Sequence, residues 1–341
     1  MVNLFIWCTL HLVLFVSGNA EKVIIDTDAG SDDAIAILLL LRAESLREMY
    51  LPHYELIGIT CTYGNTEEEN VEINVLKTLT IANRTDILVF PGAKKPLIGN
   101  FSSDGFFGKD GFGDADLFTE IAGKINTSKH ASNALVDLSK EHEGNISVIV
   151  LGPTTNVALA ASLDSNFIKR IKKFYVMGST ISGIGVIKPN VEFNFGADPE
   201  SNFILLNSTT SDQTTLFPYD TGLNANISKK WRNKILGTHK SPYIKFLNAI
   251  ERISLQRDEQ NYAPLDAMTV AAMLWPGMIK DTVDANVQAV YDGAARGSVL
   301  IDWNRNKYKP ETSNAKIIKT IDSKMFMDSL VYYLTCNRLA C

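Results

Sequence analysis

Four aspartates stand within one short run, Val23-Ile24-Ile25-Asp26-Thr27-Asp28-Ala29-Gly30-Ser31-Asp32-Asp33. Carboxylates this close repel one another. Caps at a helix start explain one or two of them. The rest call for a cation, a proton or a polyhydroxylated ligand to offset the repulsion. Asp26 and Asp28 share one side of an extended segment, because side-chain direction in a strand has period 2. If the partner is a cation, donors of this kind suit a hard one that binds through oxygen. No His/Cys cluster offers a zinc site instead.

The elements around this run place it. Val23, Ile24 and Ile25 read as a buried parallel strand, and the apolar stretch to Leu41 reads as the helix after it. Ala29-Gly30-Ser31 make the turn between them, with Gly30 free to take positive φ. The chain then repeats the pattern. Glu55–Tyr63 reads as a strand followed by Asn65 and a helix from about Thr66 to Ala82. Ile87–Phe90, Ile146–Leu151, Phe174–Gly178 and Thr214–Pro218 read as further strands. Candidate polar groups follow most of them. Residues 228–259 read as helical, amphipathic and partly basic, and Asp266 stands at the start of the next helix. Val287–Tyr291, Ala315–Ile321 and a helix near Lys324–Tyr333 close the chain. This alternation predicts an open α/β fold, a mainly parallel sheet with helices on both faces and a ligand site at strand ends.

The run Asp26–Ala34, DTDAGSDDA, resembles the signature of the nucleoside hydrolases, the inosine-uridine-preferring nucleosidases. Their usual pattern is DxDxGxDDA, often with Pro where this chain has Ala29. Four later blocks resemble the same family: the VGN-like block at Asn65, FFGKDGFGD around Phe107, GPTTN at 152–156 and EFNxxxDPE from Glu192. The resemblance covers nearly the whole chain after residue 20. It implies hydrolysis of the N-glycosidic bond of ribonucleosides, with Ca²⁺ as cofactor. Asp28, Asp33, Asp266 and the backbone carbonyl of Leu151 are then the metal ligands. Asp28 is the catalytic base, with Asp26 supporting the cluster from behind. Asp32, Asn65, Met177, Glu192, Asn194 and Asp266 contact the sugar.

Departures from the family pattern concern the base and one sugar contact. Phe107 and Leu265 stand where many members carry His, so neither position donates a proton to the departing base. Phe107 is read as a stacking surface for a flat base, which favours purine nucleosides. Asp220 is a candidate for assisting the purine. Gly185-Val186 replaces a Gly-Asn pair, so an Asn contact to the sugar is lost unless Asn190 takes its place. These losses support an alternative reading, a secreted paralogue that binds nucleosides with little turnover. A phosphatase of the DxDxT type fits less well, because Gly30 and the Asp32-Asp33 pair follow the motif.

The chain has 341 residues, 45% hydrophobic and 21% charged, with net charge −5. One large domain accommodates this. The absence of a basic run argues against nucleic acid as a partner. Residues 1–20 lack Asp, Glu, Lys and Arg, and Gly18 and Ala20 suit a cleavage site, so they read as a signal peptide and 21–341 as the nucleoside hydrolase-like domain. Six N-x-[ST] sequons, at Asn83, Asn100, Asn126, Asn145, Asn207 and Asn226, agree with a secreted glycoprotein. No stable membrane anchor is expected. The partners expected are small-molecule ribonucleosides and further copies of the chain in a homo-oligomer. Cys61 reads as a buried thiol, and Cys336 and Cys341 are close enough in sequence to close a small disulfide loop.

Overall fold

Among the described residues ten strands form, and eight of them line up in one sheet. They are β1 (Glu21–Thr27), β2 (Tyr54–Cys61), β3 (Leu88–Phe90), β4 (Ile146–Val150), β5 (Lys173–Met177), β6 (Thr214–Phe217), β7 (Ile279–Ala285), β8 (Val287–Ala289), β9 (Val299–Ile301) and β10 (Ala315–Ile321). The computed structural model describes residues 20–46, 53–116, 120–257, 261–304 and 312–335. Residues 1–19, Cys336 and Cys341 lie outside them. The large sheet runs β3-β2-β1-β4-β5-β6-β10-β7, while β8 and β9 pair separately. Every pair in the large sheet is parallel except the edge pair β10–β7.

The order reverses direction between β1 and β4. That is the topological switch point, where the loops after the two strands diverge and leave a crevice at their carboxyl ends. The crevice is thus bounded by the loop after Thr27 and the loop after Val150.

The alternating β1 side chains divide the core. Val23 and Ile25 join the apolar cluster on one face, and Ile24 joins that on the other. The helix Ser31–Leu46 is buried almost all round, with Ala34 through Leu40 at zero exposure. Its sequence is apolar on every side because it packs against the helices Glu68–Ala82, Pro242–Ile250, Leu265–Leu274 and Ser323–Thr335. This fixes the helix that carries Asp32 and Asp33 against the one that carries Asp266. Cys61 is a buried free thiol.

Two parts of the C-terminal half differ from the sequence reading. The stretch 228–259 is not one helix. It breaks into Lys229–Lys234 and Pro242–Ile250 with short 3₁₀ turns. Ser228 and Ser241 cap the two helices, and Pro242 stands in the first turn of the second. The strands β7 and β9 also escaped the pattern. β7 is an edge strand with exposed Lys280, Asp281 and Thr282, a polar run that protects an open edge. Among the described residues no helix is long and apolar enough to cross a membrane.

Candidate active site

Thr27 ends β1, and the next residues build the crevice floor. Asp28 is buried, and Asn65 holds it twice. The Asn65 backbone N–H donates to Asp28 Oδ2 at 2.8 Å and its side-chain amide to Oδ1 at 3.0 Å. The same Nδ2 reaches Asp33 Oδ2 at 3.3 Å. Asn65 therefore bridges two carboxylates and is not a helix cap; the next helix begins at Glu68. Asp33 also accepts from the Gly30 amide at 2.8 Å and from the Thr27 hydroxyl.

Positive φ falls on Ala29, at 34°, and not on Gly30. Proline, held near −65°, cannot take that conformation. Gly30 is needed for space instead. A Cβ there would lie 2.6 Å from Asn65 Nδ2 and 2.8 Å from the Phe107 ring. Phe107 thus closes over the turn beside the carboxylates. Its loop is tied down by Ser103 Oγ to the Asn65 carbonyl, Thr66 Oγ1 to the Lys109 carbonyl and Asn74 Nδ2 to the Asp110 carbonyl.

Carboxylate oxygens of Asp32, Asp33 and Asp266 lie within 4.8 Å of one another. Asp266 sits in the first turn of its helix, where Pro264 holds the cap position. Asp32 Oδ1 and Asp266 Oδ1 are buried without a hydrogen-bond partner. Two unpartnered buried carboxyl oxygens beside a third carboxyl fit a hard divalent cation, whose charge would offset their repulsion. Oxygens on either side of one Ca²⁺ stand up to about 5 Å apart. Asp28 adjoins this trio through Asn65. The Leu151 carbonyl, just past β4, takes the Asn194 side-chain amide at 2.6 Å. The trio that meets therefore includes Asp32, which the sequence reading gave to the sugar alone.

Burial raises every one of these carboxyls. Asp32 is pushed up to about 8, by desolvation first and the Asp33 charge second. Desolvation and then Asp33 hold Asp28 well above the carboxylate range. Asp266 also stands well above it, through burial and then the charges of Asp32, Asp33 and Asp28. Asp33 is raised by burial, against donors that include Asp266. Behind them Asp26 rises to about 7 by burial, though the Thr60 hydroxyl and Asn156 Nδ2 both donate to it. Asn156 also donates to the Cys61 carbonyl and accepts from the Ala93 amide, at 2.8 and 2.9 Å. It ties three strand ends together rather than capping a helix.

The cleft above the cluster is lined by Asp32, Asn65, Phe107, Leu151, Met177, Glu192, Asn194 and Asp266 among others. Glu192 caps the short helix Phe193–Ala197. Its carboxylate accepts from the amides of Asn194, Phe195 and Ser179 at 2.8, 3.0 and 3.0 Å. Burial nevertheless pushes it up to about 7. Asp220 is not on the cleft wall. It is fully buried and accepts the Ile181 amide, so it holds the 179–194 loop and does not face a base. Asn190, at φ 65°, sits in a turn off the wall, while Val186 lines it.

The family model described as inosine-uridine preferring nucleoside hydrolase matches residues 23–328. This chain belongs to that family. Uridine nucleosidase 1 of Arabidopsis thaliana is 34% identical over 195 residues, 57% of this chain and 55% of the relative, so the match spans about half the length of that relative. The pyrimidine-specific ribonucleoside hydrolase RihA of Escherichia coli is 28% identical over 320 residues, covering 91% of this chain and 97% of RihA. A solved structure titled Inosine-Guanosine Nucleoside Hydrolase aligns with a TM-score of 0.82 at 27% identity, over 92% of this chain and 98% of that one.

The cleft of this family member is also lined by polar groups that no sequence motif marks. Lys229, Glu251 and Ser254 come from the segment 228–259 read as helical, and Asn261 and Tyr262 from the stretch just after it. Glu251 is 2% exposed and accepts from the fully buried Arg232, whose Nε lies 3.0 Å from Oε2. Arg232 Nη1 is fixed in turn by Asn248 at 2.8 Å. No local motif marks these residues. Their partners lie 16 and 19 positions apart across a break between helices.

Proposed function

We propose that this chain hydrolyses the N-glycosidic bond of ribonucleosides, releasing ribose and free base, with purine nucleosides preferred. The observation that carries the reading is the meeting of Asp32, Asp33 and Asp266 at the switch point, with Asp28 joined to them through Asn65 and two buried oxygens left unpartnered. Asp32, Asp33, Asp266, Asp28 and the Leu151 carbonyl would hold a divalent cation, with Ca²⁺ the best match to an all-oxygen set. Such an ion supplies positive charge that acidifies water and orients vicinal hydroxyls.

Asp28 takes the proton from the attacking water. Burial and then the Asp33 charge raise its proton affinity above that of an ordinary carboxylate, the direction a general base needs. Asn65 fixes both of its oxygens, so the carboxylate cannot swing away. Asp32 and Asp266 bind the sugar diol, and Asn65, Met177, Glu192 and Asn194 complete the sugar wall. Positive charge developing on the ribosyl ring faces this set of carboxylates. Phe107, over Gly30 beside the cluster, gives the base a face to stack on, and Leu265 is apolar. We further read the protein as exported by a leader at residues 1–20 and acting outside the cell.

The test is product analysis. Purified protein with calcium, given inosine, guanosine, adenosine and uridine, is followed for ribose and free base together. Release in equal amounts, fastest from the purines, supports the reading. Tight nucleoside binding without ribose release supports the binding paralogue, for which the apolar Phe107 and Leu265 positions speak.

A further inference from the structure

We propose that Glu251 reads the base, accepting the ring N1–H of 6-oxopurine nucleosides, so that inosine and guanosine are preferred to adenosine. This rests on the hydrolase reading above, with the base against Phe107, and names the substrate class within it.

Glu251 stands at the Phe107 end of the cleft. It caps the carboxyl end of the helix Pro242–Ile250 and lines the cleft wall. Its neighbours on both sides are fixed to Gly113. A Cβ on Gly113 would lie 2.5 Å from the Ile250 carbonyl, and Arg252 Nε donates to the Gly113 carbonyl at 2.6 Å. The Gly113 amide donates in turn to the Phe107 carbonyl at 2.7 Å. Glu251 is also close enough to the acidic cluster that its charge, after burial and the Asp33 charge, helps to raise Asp32. The carboxylate is thus tied to the segment of the stacking ring and stays within electrostatic reach of the sugar-binding carboxyls.

The two Glu251 oxygens are used unequally. Oε2 accepts from both Nε and Nη2 of Arg232, which is fully buried and held by Asn248 as well. Oε1 accepts nothing among the described residues. Nor is it one of the buried oxygens closed off from solvent, so it opens on the cleft. A buried ion pair costs two desolvations and adds little stability by itself. Here it sets a charged acceptor with one oxygen unused on a ligand-binding wall. Asp104, the carboxylate on the Phe107 loop, is exposed, so water serves it as well as a base would.

The ligand must therefore bring an N–H. Hypoxanthine joined to ribose through N9 has one, at N1. Guanine has N1–H and the 2-amino group beside it. Adenine carries a lone pair at N1, which a carboxylate repels, and its 6-amino group stands one bond outside the ring. A desolvated charged acceptor left unpaired is costly, so such a site rejects a substrate that lacks the matching N–H.

The full-length chain with calcium is assayed for kcat/KM on inosine, 1-methylinosine, adenosine and uridine. Inosine is expected to exceed 1-methylinosine and adenosine by at least about tenfold each. In Glu251→Gln, Arg232 retains the amide oxygen and the amide N–H₂ faces the base. The ratio of inosine to adenosine is then expected to fall at least about tenfold. Glu251→Asp keeps the charge opposite Arg232 but draws the oxygen back by one carbon. It should lower the same ratio, and it decides the matter if Glu251→Gln does not fold. Variants that slow all substrates alike show a structural role and overturn the inference. Adenosine or 1-methylinosine cleaved as fast as inosine by the parent protein also overturns it, and leaves the hydrolase reading intact. Cleavage of no ribonucleoside overturns the hydrolase reading itself, and this inference with it.

Discussion

Asn65 clamps Asp28 through both of its amides, one main-chain at 2.8 Å and one side-chain at 3.0 Å. The pair joins the end of β2 to the end of β1 and leaves the Asp28 carboxylate one orientation. Removing the side-chain donor leaves the main-chain one. Asn65→Ala should then lower kcat/KM about 10–100-fold, the usual cost of losing a partner that orients a ligand or base. Asp28 should also hold its proton more tightly, so the acid limb of the pH–rate profile moves to higher pH. A full profile on inosine checks both effects.

The acidic cluster should trade stability for function. Asp26, Asp32 and Glu192 rise to about 7, 8 and 7 through burial, above the ordinary range near 4. A raised carboxyl binds more protons folded than unfolded. Stability is therefore present in full below about pH 4 and is lost as pH climbs through about 7–8. In chelator, the melting temperature should fall across that window, and calcium should flatten the fall. Thermal melts from pH 5 to 9 with and without calcium measure this.

Cation binding and activity should both depend on Asp33. Asp33 contacts Thr27, Gly30 and Asn65 and belongs to the trio of converging carboxylates. Asp33→Ala should bind calcium at least about tenfold more weakly by calorimetry and lose activity. In chelator it should melt no lower than the parent, because a like charge has been removed from a buried site. Full activity at low calcium would place the ion elsewhere.

Phe107 is expected to set base preference. Its ring lies against the Gly30 turn, and stacking on an aromatic ring is worth roughly 1–3 kcal/mol for a base. The ratio of kcat/KM for inosine over uridine should be at least about tenfold, and Phe107→Ala should erode it by slowing the purine. Equal rates on the two substrates would shift recognition to the Glu251–Tyr262 wall.

Much of this arrangement is legible in the sequence because its signals are local. Strand ends carry Asp28, Asn65 and Leu151, and a β-branched run before a polar cluster marks a strand end without any structure. The sheet follows from the alternation of such runs. What stayed hidden depends on distant partners. Asn65 looks like a turn residue until Asp28 and Asp33, 37 and 32 positions away, are brought to it. Gly30 looks like a left-handed turn residue, yet the φ of 34° belongs to Ala29 and Gly30 yields room to Phe107. Asp220 looks available to a base and is spent on the Ile181 amide. The basic, amphipathic stretch 228–259 reads as helical, yet it divides into the short helices Lys229–Lys234 and Pro242–Ile250. Glu251, at the end of the second of these helices, reaches the cleft wall.

The central claim is that Asp28 activates water in a cation-holding cleft that cleaves ribonucleosides. The most direct measurement is kcat for inosine with Asp28→Asn at saturating calcium, beside the parent protein. Asparagine keeps the shape and one oxygen but accepts no proton. The account predicts a fall of at least about 10²-fold, with the protein still folded by melting temperature. A change smaller than a few-fold would contradict it and place the base on another residue.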